Sequence, residues 1–389
     1  MSLRQIYLNE RSAALMSIGM AVAISSNQAV STTALAQGHI GFSMNVRQEY
    51  DLATPGPAVA VTWSADGSAL VAASNYGGVL TIWDRSGHLM KRIERPGEGP
   101  AVDGSIAFVE GPSQVVFPPP AGADNSVAFA VWDAETGKIL RTENGPQPGR
   151  DYTLNRAEHF GALPDQGLLA VVTGGNSGSK YFDKNLIVYE TRTWRVQFTA
   201  KVDTGVTSMC VFGKGRRLGL GGQSSGRVSV LDSATGATVN QFQAYEVSGY
   251  GDFGLTAIAG SPAGDLIMTG VGVVGLSGKY HDSAEQLAWE KSLDTVDAVR
   301  MFRVKDGSLF ASFTKAMGPI RQAMWDPKGR YVAFIDNANG LFLWAPWNGT
   351  DHKKIEVPNL SLSFSISPDG DRIAVTTYHG VRVYSINQN

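Results

Sequence analysis

The chain has a single cysteine and no cluster of basic residues. Its one cysteine, Cys210, cannot form an internal disulfide, and no group of Cys and His residues has the spacing of a zinc site. Lys and Arg number 33 against 35 Asp and Glu, and they are scattered singly along the chain. The sequence therefore offers no concentrated basic face for nucleic acid, and we expect no nucleic-acid partner.

Long apolar runs are also scarce. The run Ala13–Ile24 has 12 residues, fewer than the roughly 20 that a membrane-spanning helix needs. Two arginines precede it and Ala34-Leu35-Ala36 follows, which is the order of a secretory signal peptide. We predict that residues 1–36 are a leader removed after Ala36. The mature chain, 37–389, would then be periplasmic or secreted in a bacterium, without a membrane span. An uncleaved anchor and a disordered cytosolic tail are the alternatives.

A unit that recurs along the chain is the main positive signal. An alternating apolar strand leads into a turn like Ser-Pro-Asp-Gly, a second apolar strand follows, and a third ends in Trp-Asp or a substitute. The first copy runs from Ala60 to Asp84 and the last from Leu362 to Tyr384. An internal repeat of this period indicates a radial or solenoid array, in which no unit buries its apolar face alone.

The ends of the third strands mark seven units. These markers are Trp83, Trp132, Tyr189, Leu231, Phe302, Trp344 and Tyr384. Successive markers are 40 to 71 residues apart, whereas a four-stranded WD-type blade takes ~40–45 residues. Most units are therefore near standard length, and the two longest steps contain insertions. After most markers a tight turn such as Asp133–Gly137 leads into a fourth strand.

The seventh unit has three strands before the chain ends. A strand-like run before the first unit, Phe42–Leu52, is the natural donor of the missing outer strand. Pairing it with the strand that contains Val381–Val383 would close a ring and cover an open sheet edge. We therefore predict an all-β fold, a seven-bladed β-propeller of four-stranded blades whose ring is closed by an N-terminal strand, and a monomer.

These units resemble those of the WD-repeat β-propeller family over roughly residues 42–387. The strongest marks are Trp83-Asp84, Trp132-Asp133 and Ser367-Pro368-Asp369-Gly370. The Gly-His dipeptide that leads into the first strand in this family is absent, and Gly87-His88 occurs instead before a fourth strand. A looser WD-like or quinoprotein-like propeller fits as well. The resemblance implies a rigid platform for binding a protein or ligand, and less often an enzyme.

Motifs for chemistry are weak. Gly270–Gly275 matches the dinucleotide fingerprint G-x-G-x-x-G, but no helix can start after it because Gly278 interrupts, so a glycine-rich strand end is the better interpretation. The six histidines lie in different units without H-x-x-x-H or H-E-x-x-H spacing. A Ser/His/Asp hydrolase would need an added α/β domain, for which the repeats leave no room. No catalytic, cofactor or metal residue is assigned.

Long connections are concentrated in one part of the predicted ring. In a propeller, the connections between strands two and three and those between blades share one face. The long ones all belong to blades two to five: residues 95–104, 118–126, 144–156, 173–185, 244–254 and 270–297. Part of the last, Ser283–Leu293, is predicted to form a short helix. Long loops on a rigid scaffold are where binding residues are commonly found.

These loops mix aromatic and charged residues, which are enriched in the energetically important parts of interfaces. The candidate binding residues are Arg150, Tyr152, Tyr181, Tyr250, Asp252, Tyr280 and Trp289. We predict a non-enzymatic binding platform for a protein or small molecule. The alternative is a propeller enzyme, lactonase-like or a quinone- or sugar-dependent oxidoreductase, with its site at the central channel.

Overall fold

The computed structural model shows seven four-stranded antiparallel sheets arranged as the blades of a ring. It describes residues 44–74, 78–94, 106–117, 127–144, 157–173, 186–200, 206–222, 225–245, 253–273, 298–316, 319–336, 338, 340–349, 351–358 and 361–388. In these ranges, two short 3₁₀ turns, Pro164–Gln166 and Pro346–Asn348, lie in connections between strands. No helix in the described ranges is long and apolar enough to cross a membrane. The predicted all-β, seven-bladed propeller is confirmed.

Strands are numbered in chain order. Each blade has four strands, which are called first to fourth in the order in which they pair across the sheet. The first strands are β2 (Ala58–Trp63), β6 (Ala107–Glu110), β10 (Ala157–Leu163), β14 (Val206–Phe212), β18 (Phe253–Gly260), β22 (Ile320–Trp325) and β26 (Phe364–Ile366). The second strands are β3 (Ala69–Ser74), β7 (Gln114–Phe117), β11 (Leu168–Thr173), β15 (Arg217–Gly222), β19 (Leu266–Val273), β23 (Val332–Asp336) and β27 (Arg372–Thr377). First strands of successive blades contact one another, which places them at the centre of the ring.

The outer half of each blade consists of the third and fourth strands. The third strands are β4 (Val79–Asp84), β8 (Val127–Asp133), β12 (Leu186–Glu190), β16 (Arg227–Asp232), β20 (Val299–Arg303), β24 (Gly340–Trp344) and β28 (Gly380–Gln388). The fourth strands are β5 (Leu89–Glu94), β9 (Ile139–Asn144), β13 (Val196–Ala200), β17 (Thr238–Gln243), β21 (Leu309–Phe313), β25 (His352–Glu356) and β1 (Met44–Ala53). Every predicted marker residue lies in a third strand, so the predicted division into blades is confirmed.

Blade seven joins both ends of the described chain. Strand β1 pairs antiparallel with β28, from Met44 opposite Gln388 to Ala53 opposite Gly380. This confirms the predicted closure, with the paired strand running one residue past Leu52. Leu52 of β1 and its partner Val381 of β28 are both buried and pack in the same apolar layer between blades seven and one. The closing strand therefore contributes to a core as well as to a sheet edge.

Burial decreases from the centre of each blade outward. All six residues of β11 are buried, whereas β9 on the outer edge of blade two has no fully buried residue. Apolar side chains of adjacent sheets interlock, so the core is a series of layers between blades rather than one cluster. Each blade is therefore stable only beside its neighbours, as expected of a repeat array.

The turn between strands one and two explains why Ser and Asp recur in the repeat. In blade one, Ser64 Oγ donates to Asp66 Oδ1 at 2.6 Å and accepts the amide of Ala69 at 2.9 Å. Blade seven repeats this arrangement with Ser367 and Asp369 at 2.6 Å. The Gly that follows adopts φ of about +70°, for example +71° at Gly370, where a side chain would be strained.

Two glycines of the dinucleotide-like motif lie inside a strand. The predicted glycine-rich strand end is confirmed, because β19 runs through Gly270 and Gly272 to Val273. The predicted connection 270–297 therefore starts too early, since glycine weakens an isolated strand but here provides space. A Cβ atom on Gly270 would lie 2.6 Å from Cβ of Ile320 in the next blade. Of the other predicted connections, 144–156 and 173–185 also start one residue too early, and 244–254 ends two residues too late because Phe253 and Gly254 lie in β18.

Candidate functional site

The two faces of the propeller differ in what joins the strands. The hairpin face is defined here as the one where strand two meets strand three and where each blade leads to the next. The turn face, opposite, carries the turns between strands one and two and between strands three and four. The seven candidate binding residues and the predicted helix Ser283–Leu293 lie outside the described residues. The described strands that flank these segments, such as β11 and β12 or β19 and β20, are antiparallel neighbours whose free ends meet at the hairpin face.

The wall of the central channel contains a belt of hydrogen bonds between blades. In successive first strands, a side chain of one blade binds the main chain of the next. Ser208 Oγ donates to Leu255 O at 3.0 Å, and the Thr256 hydroxyl donates to Ile320 O. The Gln322 amide binds both main-chain groups of Phe364, donating to O at 3.1 Å and accepting from N at 2.8 Å.

Two further bonds extend this belt. Ser365 Oγ accepts the Trp63 amide at 3.3 Å, which joins blade seven to blade one. His159 is hydrogen-bonded to the main chain of Val206, which joins blade three to blade four. Five consecutive junctions of the ring are thus bridged. Four of these bonds lie in the half of the first strands nearer the hairpin face, and the bond to Trp63 lies at the turn-face end of β2. These polar side chains hold blades together, and their hydrogen-bonding capacity is partly used before any ligand arrives.

Two titratable groups of the first strands, His159 and Cys210, are kept neutral by burial. Burial lowers the pKa of His159 to about 4, although its bond to Val206 acts in the opposite direction. Burial raises the pKa of the Cys210 thiol to about 12, against the effect of main-chain hydrogen bonds from Gly260 and Gly219. A thiol with so high a pKa is a poor nucleophile and a poor metal ligand. In the described ranges, no three His, Cys, Asp or Glu side chains are grouped to hold a metal ion.

A second concave region lies on the hairpin face beside the closing strand. This blade-seven groove has a volume of about 410 Å³ and is lined by residues 51–53 of β1, by Pro358, and by Thr377, Tyr378, His379, Val381 and Arg382. Its rim is the hairpin between β27 and β28. The Thr377 hydroxyl stabilises that hairpin by accepting the His379 amide at 3.2 Å and donating to Gly380 O at 3.3 Å.

The polar side of the groove is an ion pair between the two outermost strands of blade seven. Arg382 donates from Nε to Asp51 Oδ1 at 2.7 Å and from Nη2 to Asp51 Oδ2 at 3.2 Å. The Asp51 side chain is 55% exposed and that of Arg382 is 29% exposed. The bond to Asp51 raises the pKa of Arg382, and a further side-chain hydrogen bond joins Arg382 to Tyr384. The two-point contact fixes the plane of the guanidinium.

Sequence reasoning missed this groove. The segments that line it are separated by about three hundred positions in the chain, and the closing of the ring brings them together. A partial signal was present, because the predicted pairing of Phe42–Leu52 with Val381–Val383 brings the segments of Asp51 and Arg382 together, although the register that sets them opposite each other comes from the structure. The loops of blade seven are short, however, and the binding residues were predicted from long loops.

Comparisons with protein-family models and with curated proteins find no match to this chain. The interpretation of the Trp-Asp pairs of the repeat therefore depends on their contacts in this structure. Trp132 lies in β8 with its ring buried, and its Nε1 atom has no hydrogen-bond partner within the described part of the chain. In the WD family, this indole nitrogen belongs to the His–Ser/Thr–Asp–Trp network, and no blade of this chain has that family's Gly-His dipeptide leading into its first strand. The chain is a seven-bladed β-propeller whose last blade is completed by its N-terminal strand.

Proposed function

We propose that this chain is a WD-repeat-like, non-enzymatic binding platform whose partner, a protein or small molecule, is held by the hairpin face of blades two to five. The observation that carries the proposal is the strand direction in those blades. Each long connection between strands two and three starts and ends at the same face, since its flanking strands are antiparallel neighbours. The strand ends that flank residues 118–126, 174–185 and 274–297 therefore lie on one side of a rigid support.

The distribution of length supports a role for these connections. Between strands two and three, blade one needs four residues, 75–78, and blade seven needs two, 378–379. A propeller folds with such short links, and longer ones add a closure-entropy cost that rises only slowly with length. Ornamental insertions would be tolerated anywhere on the ring. Their concentration on one sector, with aromatic residues such as Tyr250 and Trp289, is the pattern of an interface.

The state of the central channel also favours a platform over an enzyme. A channel enzyme needs acidic or histidine side chains that converge at the inner mouth. The described wall instead uses Ser208, Thr256, Gln322 and Ser365 as bridges between blades. Its one described histidine, His159, is neutral over the ordinary pH range.

The experiment compares the two faces by site-specific photo-crosslinking in the producing cell. A photoreactive residue at position 250, 280 or 289 should give discrete adducts identified by mass spectrometry. The same residue at Glu135 or Lys305, exposed on the turn face, serves as the control and should give none. Tyr250→Ala and Trp289→Ala should remove the adducts formed from position 280 without changing the melting temperature. Adducts of equal yield from both faces would contradict the proposal.

Export is the second part of the proposal. The leader residues 1–36 lie outside the described residues, and the argument is the apolar run with its Ala-x-Ala sequence. N-terminal sequencing of protein from an exporting host should find Gln37 as the first residue. An intact Met1 on protein from the soluble cytosolic fraction would contradict export.

A further inference from the structure

The blade-seven groove has the features of a preformed site. Its volume of about 410 Å³ falls within the range of roughly 300–1,000 Å³ typical of small-molecule sites. The hairpin that forms its rim is closed by the two Thr377 hydrogen bonds, and the Thr54 amide donates to His379 O at 3.4 Å. Its walls are therefore fixed by the blade itself, and a ligand would meet them already in place.

The ion pair of the groove presents a donor and an acceptor side by side. An arginine has five N–H donors, of which Asp51 takes two and Tyr384 accounts for another interaction. Asp51 keeps acceptor capacity on a side chain that is 55% exposed. A fixed donor next to a fixed acceptor matches two neighbouring hydroxyl groups, because each hydroxyl both donates and accepts.

An aromatic ring faces solvent on the same rim. Tyr378 is 54% exposed although it follows the buried β27, and its ring meets that of His379 edge-on at 5.2 Å and 87°. The face of an aromatic ring is negative, so it attracts the polarised C–H groups of a sugar ring. Pro358, which is half-buried, adds an apolar residue to the lining of the groove.

These features select a ligand of one class. The charges of Arg382 and Asp51 compensate each other, so the pair offers no net charge to an anion such as a phosphate. A ligand that suits the groove has a flat apolar face and a polar edge with adjacent hydroxyls. We propose that the blade-seven groove binds a neutral sugar ring, which stacks on Tyr378 and shares its hydroxyls with Arg382 and Asp51. This site is separate from the blades in the proposed function and does not depend on it.

The test is binding of the full chain to glucose, galactose, mannose, N-acetylglucosamine, maltose and cellobiose. Saturation-transfer NMR should be run at about 10 mM sugar, since a ligand of this size that gains ~0.3 kcal/mol per atom binds in the millimolar range. We expect transfer to at least one sugar. Tyr378→Ala should weaken binding about tenfold or more and leave the melting temperature unchanged, because the side chain is exposed.

Matched variants separate the aromatic contact from other effects. Tyr378→Phe keeps the ring and should bind as the wild type does. Leu140→Ala removes a side chain of similar exposure, 51%, on the outer strand of blade two and should have no effect. Arg382→Gln should also weaken binding about tenfold, which keeps the test valid if Tyr378→Ala unfolds. Absence of transfer to every sugar, unchanged binding by Tyr378→Ala, or binding of neutral dipeptides instead would overturn the proposal.

Discussion

Blade seven is joined to each of its neighbours by an arginine on the turn face, but the two arginines have different surroundings. Toward blade six, Arg330 donates to both Asp326 oxygens at 2.8 and 2.9 Å and to Gly370 O at 2.7 Å. The Asp326 side chain is fully buried and that of Arg330 is 16% exposed. Toward blade one, Arg85 pairs with Asp369, and these side chains are 40% and 38% exposed.

Two ion pairs of the same chemistry can therefore contribute unequally to the stability of the ring. An exposed ion pair contributes about 0–1 kcal/mol, because water solvates the separated charges well. A buried pair adds little net stability, but the loss of one partner leaves the other charge stranded. The junction of blades six and seven is therefore sensitive to a change that the junction of blades seven and one should tolerate.

Removal of the closing strand should have the largest effect. Deletion of residues 1–54 removes β1, exposes the edge of β28 and takes Leu52 out of the layer between blades seven and one. We expect the melting temperature to fall by about 10 °C or more, with aggregation through the open edge. Deletion of residues 1–37, the control, should leave the melting temperature unchanged. Equal melting of the two truncations in calorimetry would refute the role of β1 in the ring.

The closing of the ring could be predicted because the sequence patterns that indicate strands and turns are local. Strand alternation, the Ser64–Asp66 type of turn and the Trp markers are set by a few neighbouring residues, so the blades could be counted from the sequence. The hydrogen-bonded belt could not be predicted, since it depends on which residues of separate blades lie at the same height. Bonds such as Ser208 to Leu255 join positions 47 residues apart. The extent of β19 was missed for the same reason, because Gly270 is explained by Ile320 in the next blade.

The two candidate binding regions also differ in how far the sequence predicts them. Loop length and aromatic content identify the connections of blades two to five from the sequence alone, and those residues remain predictions. The blade-seven groove needs the pairing register of β1 and β28, which places Asp51 opposite Arg382. Neither residue is unusual in its own segment.

Replacement of Arg330 should give the next largest loss. In Arg330→Met the aliphatic stem is kept, while the buried Asp326 loses two side-chain hydrogen bonds and the link to Gly370 O is broken. We expect a loss of about 3 kcal/mol in the free energy of unfolding, measured by denaturant titration. The control is Lys328→Met, which removes a pair with Asp371 whose side chains are 49% and 51% exposed. If both variants lose the same amount, burial is not what distinguishes the junctions.

The junction of blades three and four should respond to pH through His159. Burial lowers the pKa of His159 to about 4 from its usual 6.5, so the unfolded chain binds a proton more readily than the folded one. The stability that depends on neutral His159 is complete above pH ~6.5 and is lost as the pH falls toward 4. In His159→Gln this loss should be absent, which amounts to about 3 kcal/mol less acid destabilisation than in the wild type at pH 4.

The measurement is the difference in unfolding free energy between the two proteins, followed from pH 8 to pH 4. Carboxylate groups titrate in both and cancel in the difference. A constant difference across that range would show that His159 does not titrate with a lowered pKa, and that the link between blades three and four has another basis.

The smallest effect is expected at the exposed junction. Arg85→Met removes the ion pair with Asp369, but Asp369 keeps its bond from Ser367 at 2.6 Å and from the Asp371 amide at 3.2 Å. The loss should be about 0.5 kcal/mol at low salt and should shrink as salt rises toward 1 M. Burial opposes ionisation of Asp369, yet the bonds from Ser367, Asp371 and Arg85 together lower its pKa to about 2. The variant should therefore raise that pKa only partly toward 3.8, measured by carboxyl-carbon NMR, so that stability is lost at a slightly higher pH on acidification. A loss as large as that of Arg330→Met, and insensitive to salt, would mean that the two junctions are energetically alike despite their different exposure.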